Sequence, residues 1–436
     1  MSPRTYHDPL HGAIRLDRGD PAEALVIDLI DTAPFQRLRR IRQLGPAFLT
    51  FHGAESSRFT HSLGVLHLAR LALDQLAPLH PHLDRHRAAL YAAALLHDVG
   101  HGPFSHAGEE MYGLRHESWS GLLIRQHPEL RDRLEAVAPG LATEVAELLE
   151  KGRHPSPAIA ALVSSQLDCD RLDYLLRDSY STGTRYGQLD LERILSALTL
   201  APDGGLAVHP KGLQAVEHYL VVRHLMYRTV YNHRLNVVCN WLLQRAIEVA
   251  RRLGPDRVWA DATMARWLWE PRRLDIGSFL ANDDLRTGYH LLRWREEGEP
   301  ELADPCRRLI DRQLLRAVDV GELSSTGRLE LLARARTLAE RAGLAPEGCC
   351  GLHQRQSRGY LAYKGGLRLW DGDRLQALEQ RSPLVRGLSE RLDMAWLIHP
   401  AEITGEVRQL VAEWLPQRAG PPEGADGPAG ETAGSG

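Results

Sequence analysis

Lysine is nearly absent from this chain of 436 residues: Lys151, Lys211 and Lys364 are the only three, and Arg carries the rest of the positive charge. The 53 basic side chains face 56 acidic ones, a net charge of −3. Without excess charge there is no global basic field for gripping nucleic acid; local patches leave such binding open without indicating it. Cysteine is scarce as well. Cys169, Cys239, Cys306, Cys349 and Cys350 form no Cys-x-x-Cys pair, and the last two are adjacent. A disulfide framework and a cysteine–zinc site are therefore not expected, and a reduced, cytoplasmic protein fits best. No apolar run approaches the ~18 residues of a spanning helix, and Met1 to Ile14 has no signal core. Secretion and a membrane partner are not expected.

Histidine, by contrast, is crowded. Ten of the 21 fall between His52 and His116. Surface solvation does not explain such clustering, whereas a metal or phosphate site does. From about residue 22 to 250 the pattern is one of successive helices. Leu63, Leu66, Ala69, Leu73 and Leu76 make one stripe. Ala88 to Leu96 is apolar all round and should lie inside, stopped by Gly100, Gly102 and Pro103. Ile159–Tyr180 and Gln214–Leu253 continue as long helical patterns, with a turn or small hairpin over Pro202–Gly212. Beyond about 255 the helices shorten, and Gly366–Leu378 alternates around Asp371-Gly372 as a hairpin does. The expected fold is mainly α: a helical core over 1–254, a smaller α+β region over 255–418 packed on it, and a disordered tail over 419–436, where Gly, Pro, Ala and acid dominate.

The chemistry concentrates at His97-Asp98, where the buried Ala/Leu pattern ends. A carboxylate delivered into an apolar interior needs a partner. His61 opens an upstream helix, and Asp168, Asp170, Asp173 and Asp178 crowd a downstream one. Two neutral imidazoles with two carboxylates balance a 2+ ion with mixed N/O ligands, suited to Mn, Fe, Co, Ni or Zn. His97-x-x-x-His101 is not a zinc-protease helix, because Asp follows the first His and Gly100 breaks the turn. At 100° per residue, Asp170 shares a polar face with Arg171, Tyr174 and Asp178, while Leu172, Leu175 and Leu176 lie opposite. Asp168 falls on the apolar side or at the helix start, where capping is its expected role.

These residues, in this order, resemble the HD-domain phosphohydrolases, and more narrowly the dNTP triphosphohydrolases among them. The resemblance covers about Tyr6 to Pro400, and its specific pieces are His7-Asp8-Pro9-Leu10-His11-Gly12, Phe35-Gln36-Arg37-Leu38-Arg39, Gln43-Leu44-Gly45, Arg58–Gly64, HDVGHGPFSH (His97–His106) and Asp170–Asp178. It implies an HD-domain core with His61, His97, Asp98 and Asp170 as metal ligands. It implies His101, His106 and His116, the last paired with Glu109, as catalytic residues. Gln43, Arg58, Arg171, Tyr174, Asp178, Arg223 and Tyr231 match substrate-binding positions, although Arg171 stands where the family has Lys and Asn232 where it has Gln. Arg223, Tyr227 and Tyr231 share a helix face at i, i+4 and i+8. Asp31, Gln36, Arg39, His233 and Arg234 match an activator-nucleotide site, with Thr229 in place of an Arg there. For Asp31–Arg39 the competing reading is a capped helix start whose arginines pair internally. The implied reaction is attack of a metal-bound hydroxide on the α-phosphorus of a dNTP, giving deoxynucleoside and triphosphate, with Mg accompanying the phosphates. A homo-oligomer is expected. Two alternatives stay open: another HD phosphohydrolase or phosphodiesterase (acting on a monophosphate, cyclic dinucleotide or guanosine alarmone), and a non-catalytic nucleotide or nucleic-acid binder on the same fold.

Overall fold

The computed structural model describes residues 3–358, 360, 366–389 and 391–415. The chain is mainly α-helical with three small sheets among the described residues. Contacts divide it into two compact units, Met1–Leu314 with Arg355–Leu392, and Leu315–Gln354 with Asp393–Gly436. No helix among the described residues is long and apolar enough to cross a membrane.

In the first unit a hairpin, Arg4–Asp8 with Gly12–Leu16, leads into helix α1 (Pro21–Ile30). Helix α2 (Arg58–Leu76) starts where the Ser57 hydroxyl accepts the Thr60 amide, and its Leu63, Leu66, Ala69, Leu73 and Leu76 are buried together. Helix α3 (Arg87–Leu96) is buried from Ala89 to Leu96 and packs against both α1 and α2. With no polar side to expose, it becomes the central rod. It ends at His97, so its apolar sequence delivers His97-Asp98 to the interior. Two short helices, α4 (His106–Tyr112) and α5 (His116–Gln126), follow, and α6 (Cys169–Thr182) packs on α2.

The long helical stretches are interrupted. Ile159–Tyr180 divides into Pro157–Val163 and α6, and Asp168 restarts the helix by accepting the Arg171 amide. Gln214–Leu253 divides into α7 (Leu213–Met226), a π-turn over Tyr227–Tyr231, and α8 (Arg234–Leu253). Side-chain amides reinforce the π-turn: Tyr227 O accepts both the Asn232 amide and Asn232 Nδ2, and Val230 O accepts both the His233 amide and Asn236 Nδ2, the side-chain bonds each at 2.7 Å. Asn232 is thus engaged with the backbone.

The expected boundary after 254 also moves. Helix α9 (Asp284–Glu297) and α8 both pack on Pro300–Ile310, which keeps 255–314 in the first unit. The hairpin Arg368–Trp370 with Leu375–Ala377 turns at Gly372 (φ +108°) and joins the Leu198–Leu200/Leu206–Val208 hairpin of that unit through Val208 and Leu369. The second unit is α+β: Arg316–Asp319 pairs antiparallel with the strand ending at His399, beside helices Ser325–Arg341 and Thr404–Trp414. The expected tail, 419–436, lies outside the described residues.

Candidate metal centre and active site

Four side chains from three segments converge at the end of α3. His61 Nε2 lies 3.0 Å from Asp170 Oδ1, 3.2 Å from His97 Nε2 and 3.7 Å from Asp98 Oδ2, and His97 Nε2 is 3.3 Å from Asp98 Oδ1. The other nitrogen of each ring is spent. His97 Nδ1 donates to Ala94 O at 2.9 Å, and His61 Nδ1 to Asp173 Oδ2 at 2.7 Å. Those donations turn the two Nε2 lone pairs toward each other and toward two carboxylates. With both rings neutral the arrangement calls for a cation, and two neutral imidazoles with two carboxylates fit a divalent one, whereas without it a proton on His61 Nε2 bonded to Asp170 meets the same need. The electrostatics agree. Burial alone would push the His61 ring down, yet its hydrogen bonds to Asp170 and Asp173 carry it up to about 10. Burial would raise Asp98, but Arg58, His97 and His101 hold it well below the usual carboxylate range. Asp170, raised by burial and lowered by its bond to His61, comes to about 2. Asp168 is turned elsewhere: its carboxylate accepts the Arg171 and Ser165 amides, each at 2.8 Å, and the Arg171 side chain.

A second layer, not picked out from sequence, orients the ligands. Asp173 is fully buried and receives His61, His11 Nε2 at 2.6 Å, and Arg177 through Nε and Nη2 at 2.7 and 2.9 Å. Arg177 Nη1 continues to Asp8 Oδ2 at 2.9 Å. The N-terminal hairpin thereby reaches the carboxylate that fixes the tautomer of His61, a common support for metal-bound imidazole. Arg58, also buried, donates to Asp98 Oδ2 at 2.5 Å and to Ser105 Oγ at 2.7 Å.

A second histidine group adjoins the first. His116 Nδ1 meets Glu109 Oε1 at 2.5 Å; His101 Nδ1 and His106 Nδ1 each lie 3.3 Å from the same oxygen. His101 stacks on His116 with centroids 4.0 Å apart and stands 3.3 Å from Asp98 Oδ1, joining the two groups. Burial, Arg58 and His116 hold His101 well below the ordinary imidazole range, so it is neutral. Burial opposes the His116 cation, but Glu109 outweighs it and raises the ring. His106 is largely exposed at the rim. The group thus pairs a neutral ring with one primed to carry a proton.

Most of the expected substrate residues gather nearby. Tyr231 Oη donates to Asp178 Oδ2 at 2.9 Å, and its ring stands edge-on to Tyr174 and Tyr227. Burial pushes Asp178 up to about 7 despite that bond. Arg223 Nη1 donates to Gln166 Oε1 at 2.8 Å. Buried polar atoms without a protein partner include Gln43 Oε1, Arg171 Nε, Asp178 Oδ1 and Arg223 Nε. Such atoms are uncommon inside proteins and are open to a hydrogen bond from water or a polar ligand.

The residues matched to an activator site are engaged internally. Asp31 pairs with Arg4, Gln36 Nε2 donates to Ile30 O, Arg39 Nε donates to Gln36 Oε1 and lies over Phe59, and His233 caps α8. Arg234 is exposed. A further His86–Glu144–His154 group is closed by hydrogen bonds: Arg85 donates to His86 Nε2 and the Ser156 amide to His154 Nδ1, turning both remaining N–H groups toward Glu144.

Paired His and Asp side chains at the end of a buried helix, completed by a His and an Asp from its neighbours, define the histidine–aspartate class of metal-dependent hydrolases. Residues 58–178 match the HD domain and 189–258 the HD associated region. The uncharacterized protein YwfO of Bacillus subtilis is 34% identical over 396 residues, 88% of this chain and 89% of that protein. The deoxynucleoside triphosphate triphosphohydrolase SAMHD1 of Gallus gallus is 27% identical over 286 residues, 57% of this chain and 45% of that protein. The chain thus spans less than half the length of that relative. The crystal structure of a phosphohydrolase from Bacteroides thetaiotaomicron superposes with a TM-score of 0.79 at 26% identity, covering 91% of this chain and 100% of that one. The chain belongs to the HD-domain phosphohydrolase family.

Proposed function

We propose that this chain is a metal-dependent deoxynucleoside triphosphate triphosphohydrolase, cleaving dNTP at the α-phosphorus to deoxynucleoside and inorganic triphosphate. The observation that carries this reading is the meeting of His61, His97, Asp98 and Asp170 beside unspent buried polar atoms on Gln43, Arg171, Asp178 and Arg223. Spare guanidinium N–H groups suit a polyphosphate, and spare carbonyl and carboxylate oxygens suit sugar hydroxyls. A divalent ion held by the four ligands supplies Lewis-acid activation of water and phosphate. Arg58, Arg171 and Arg223 offset the triphosphate charge as it shifts toward the leaving group. Glu109 accepts a hydrogen bond from His116 Nδ1–H, which keeps the ring protonated and aims Nε2–H at the departing 5′-oxygen. Neutral His101, stacked on His116, keeps that ring from turning. Tyr231, tied to Asp178, fills the space a 2′-hydroxyl would need, and Tyr174 and Gln43 complete the sugar site. The same reading takes Mn, Fe, Co, Ni or Zn as cofactor and a homo-oligomer as the working form, with guanine nucleotide as its activator. His61→Ala and Asp98→Ala test it: each is expected to abolish dNTP turnover with the fold preserved. Unchanged turnover in either variant after thorough chelation would overturn it.

A further inference from the structure

A carboxylate outside both family-matched segments ties two stretches of the active site together. Asp284, first residue of α9, is buried. Its Oδ1 accepts the Phe104 amide at 2.7 Å, and its Oδ2 accepts the Arg42 amide at 2.9 Å. Arg42 precedes Gln43, and Phe104 lies between His101 and His106. Phe104 and Ser105 both have φ +58°, a left-handed conformation that side-chain-bearing residues rarely hold unless their surroundings enforce it. Gly45 makes room for it: a Cβ there would stand 2.8 Å from the Phe104 carbonyl oxygen. In this conformation Ser105 Oγ donates to Arg42 O at 2.6 Å and accepts from Arg58 Nε at 2.7 Å. The neighbours of Asp284 reinforce the junction. Arg37 donates to Asn282 O and His101 O, and Arg40 to Asp283.

We propose that Asp284 is a positioning residue of the active site: by bridging the Arg42 and Phe104 amides it holds the strained Phe104–Ser105 backbone, which through Ser105 Oγ aims Arg58 at the metal centre. The assignment of Arg58 to phosphate rests on the function proposed above; the bridging role does not. A carboxylate is required because two inward N–H groups need two acceptor oxygens. An amide offers one oxygen and turns its own N–H against the second donor.

The test is hydrogen exchange, metal content and steady-state kinetics on the full chain, with Asp284→Asn, Asp284→Glu and Ser105→Ala. Asp284→Asn is expected to unfold cooperatively and keep its metal. The Phe104 amide should exchange about tenfold faster or more, and kcat should fall about 10²-fold with little change in KM, as a misplaced catalytic group causes. Asp284→Glu, which keeps both acceptor oxygens, should recover part of kcat. Ser105→Ala should lower kcat similarly, and the double variant Asp284→Asn/Ser105→Ala should fall no further than the worse single one. Wild-type Phe104 exchange and kcat in a folded Asp284→Asn, or effects that multiply in the double variant, would overturn the proposal. If Asp284→Asn does not fold, Asp284→Glu decides: faster Phe104 exchange with lowered kcat supports the role, and wild-type kcat with faster exchange refutes it. A wild-type chain inert toward dNTP would defeat the proposed function, while the Phe104 exchange would still judge Asp284.

Discussion

Gly64→Ala is a mild change on paper and a severe one here. At an exposed helical position the added methyl would stabilise the chain by about 1 kcal/mol through helix propensity. Gly64, however, sits inside α2 against the carboxylate that orients His61. A Cβ would stand 1.9 Å from Asp173 Oδ1 and 2.5 Å from Arg177 Nη2, where ordinary contact begins at 3.4 Å. The carboxylate must therefore retreat by roughly 1.5 Å, which breaks hydrogen bonds that tolerate only a few tenths of an ångström. Asp173 and Arg177 have no solvent to retreat into, since both side chains are at most 3% exposed. Breaking a buried ion pair costs about 3–5 kcal/mol, so the net expectation after the propensity gain is a loss of about 2–4 kcal/mol. Losing the partner of His61 Nδ1 should also weaken metal binding about 10- to 100-fold. Urea unfolding and competitive metal titration measure the two effects. A Gly64→Ala protein more stable than wild type, with undiminished metal affinity, would refute the role given to Asp173.

Asp170→Asn should lose metal and nearly all activity, whereas Asp168→Asn should keep metal and the cap but lose stability, by about 1–3 kcal/mol, because its amide nitrogen cannot accept the Ser165 amide and the Arg171 side chain as Oδ2 does; metal analysis of the two purified variants separates them. Asp178, raised by burial to about 7, contributes stability that is fully present below about pH 4 and is lost as pH rises through 7. Asp178→Asn cannot ionise, so its stability relative to wild type should grow by about 2–3 kcal/mol between pH 5 and 8, and an equal difference at both pH values would exclude this. Tyr231→Ala should relax discrimination against ribonucleotides, read as a fall in the ratio of kcat/KM for dGTP over GTP.

The sequence revealed parts of this site where local pattern and chemistry coincide. An all-apolar stretch ending in His97-Asp98 announces both a buried helix and an interior carboxylate. The angular placement of Asp170 beside Arg171, Tyr174 and Asp178 follows from helical geometry alone. The supporting layer is different. Asp173 lies on the same helix, yet its partner His11 is 162 residues away and Asp8, the second partner of Arg177, is 169 residues from that arginine, and no spacing rule joins them. Asp284 meets Phe104 across 180 residues and sits in a region that composition alone assigned to another domain. The interruption near 227 is hidden because apolar residues continue through it, whereas the first has local signs in polar Ser164-Ser165-Gln166 and in Asp168 with its capping carboxylate. Long-range packing, which composition does not record, decided the domain division.

The central claim is hydrolysis at the α-phosphorus, and isotope tracing tests it most directly. A dNTP turned over by the metal-loaded protein in ¹⁸O-water should yield unlabelled deoxynucleoside and inorganic triphosphate carrying one ¹⁸O. The product should vanish with Asp98→Ala. Label in orthophosphate, pyrophosphate or a nucleoside monophosphate, or no turnover of any dNTP with Mn, Fe, Co, Ni or Zn, would contradict it.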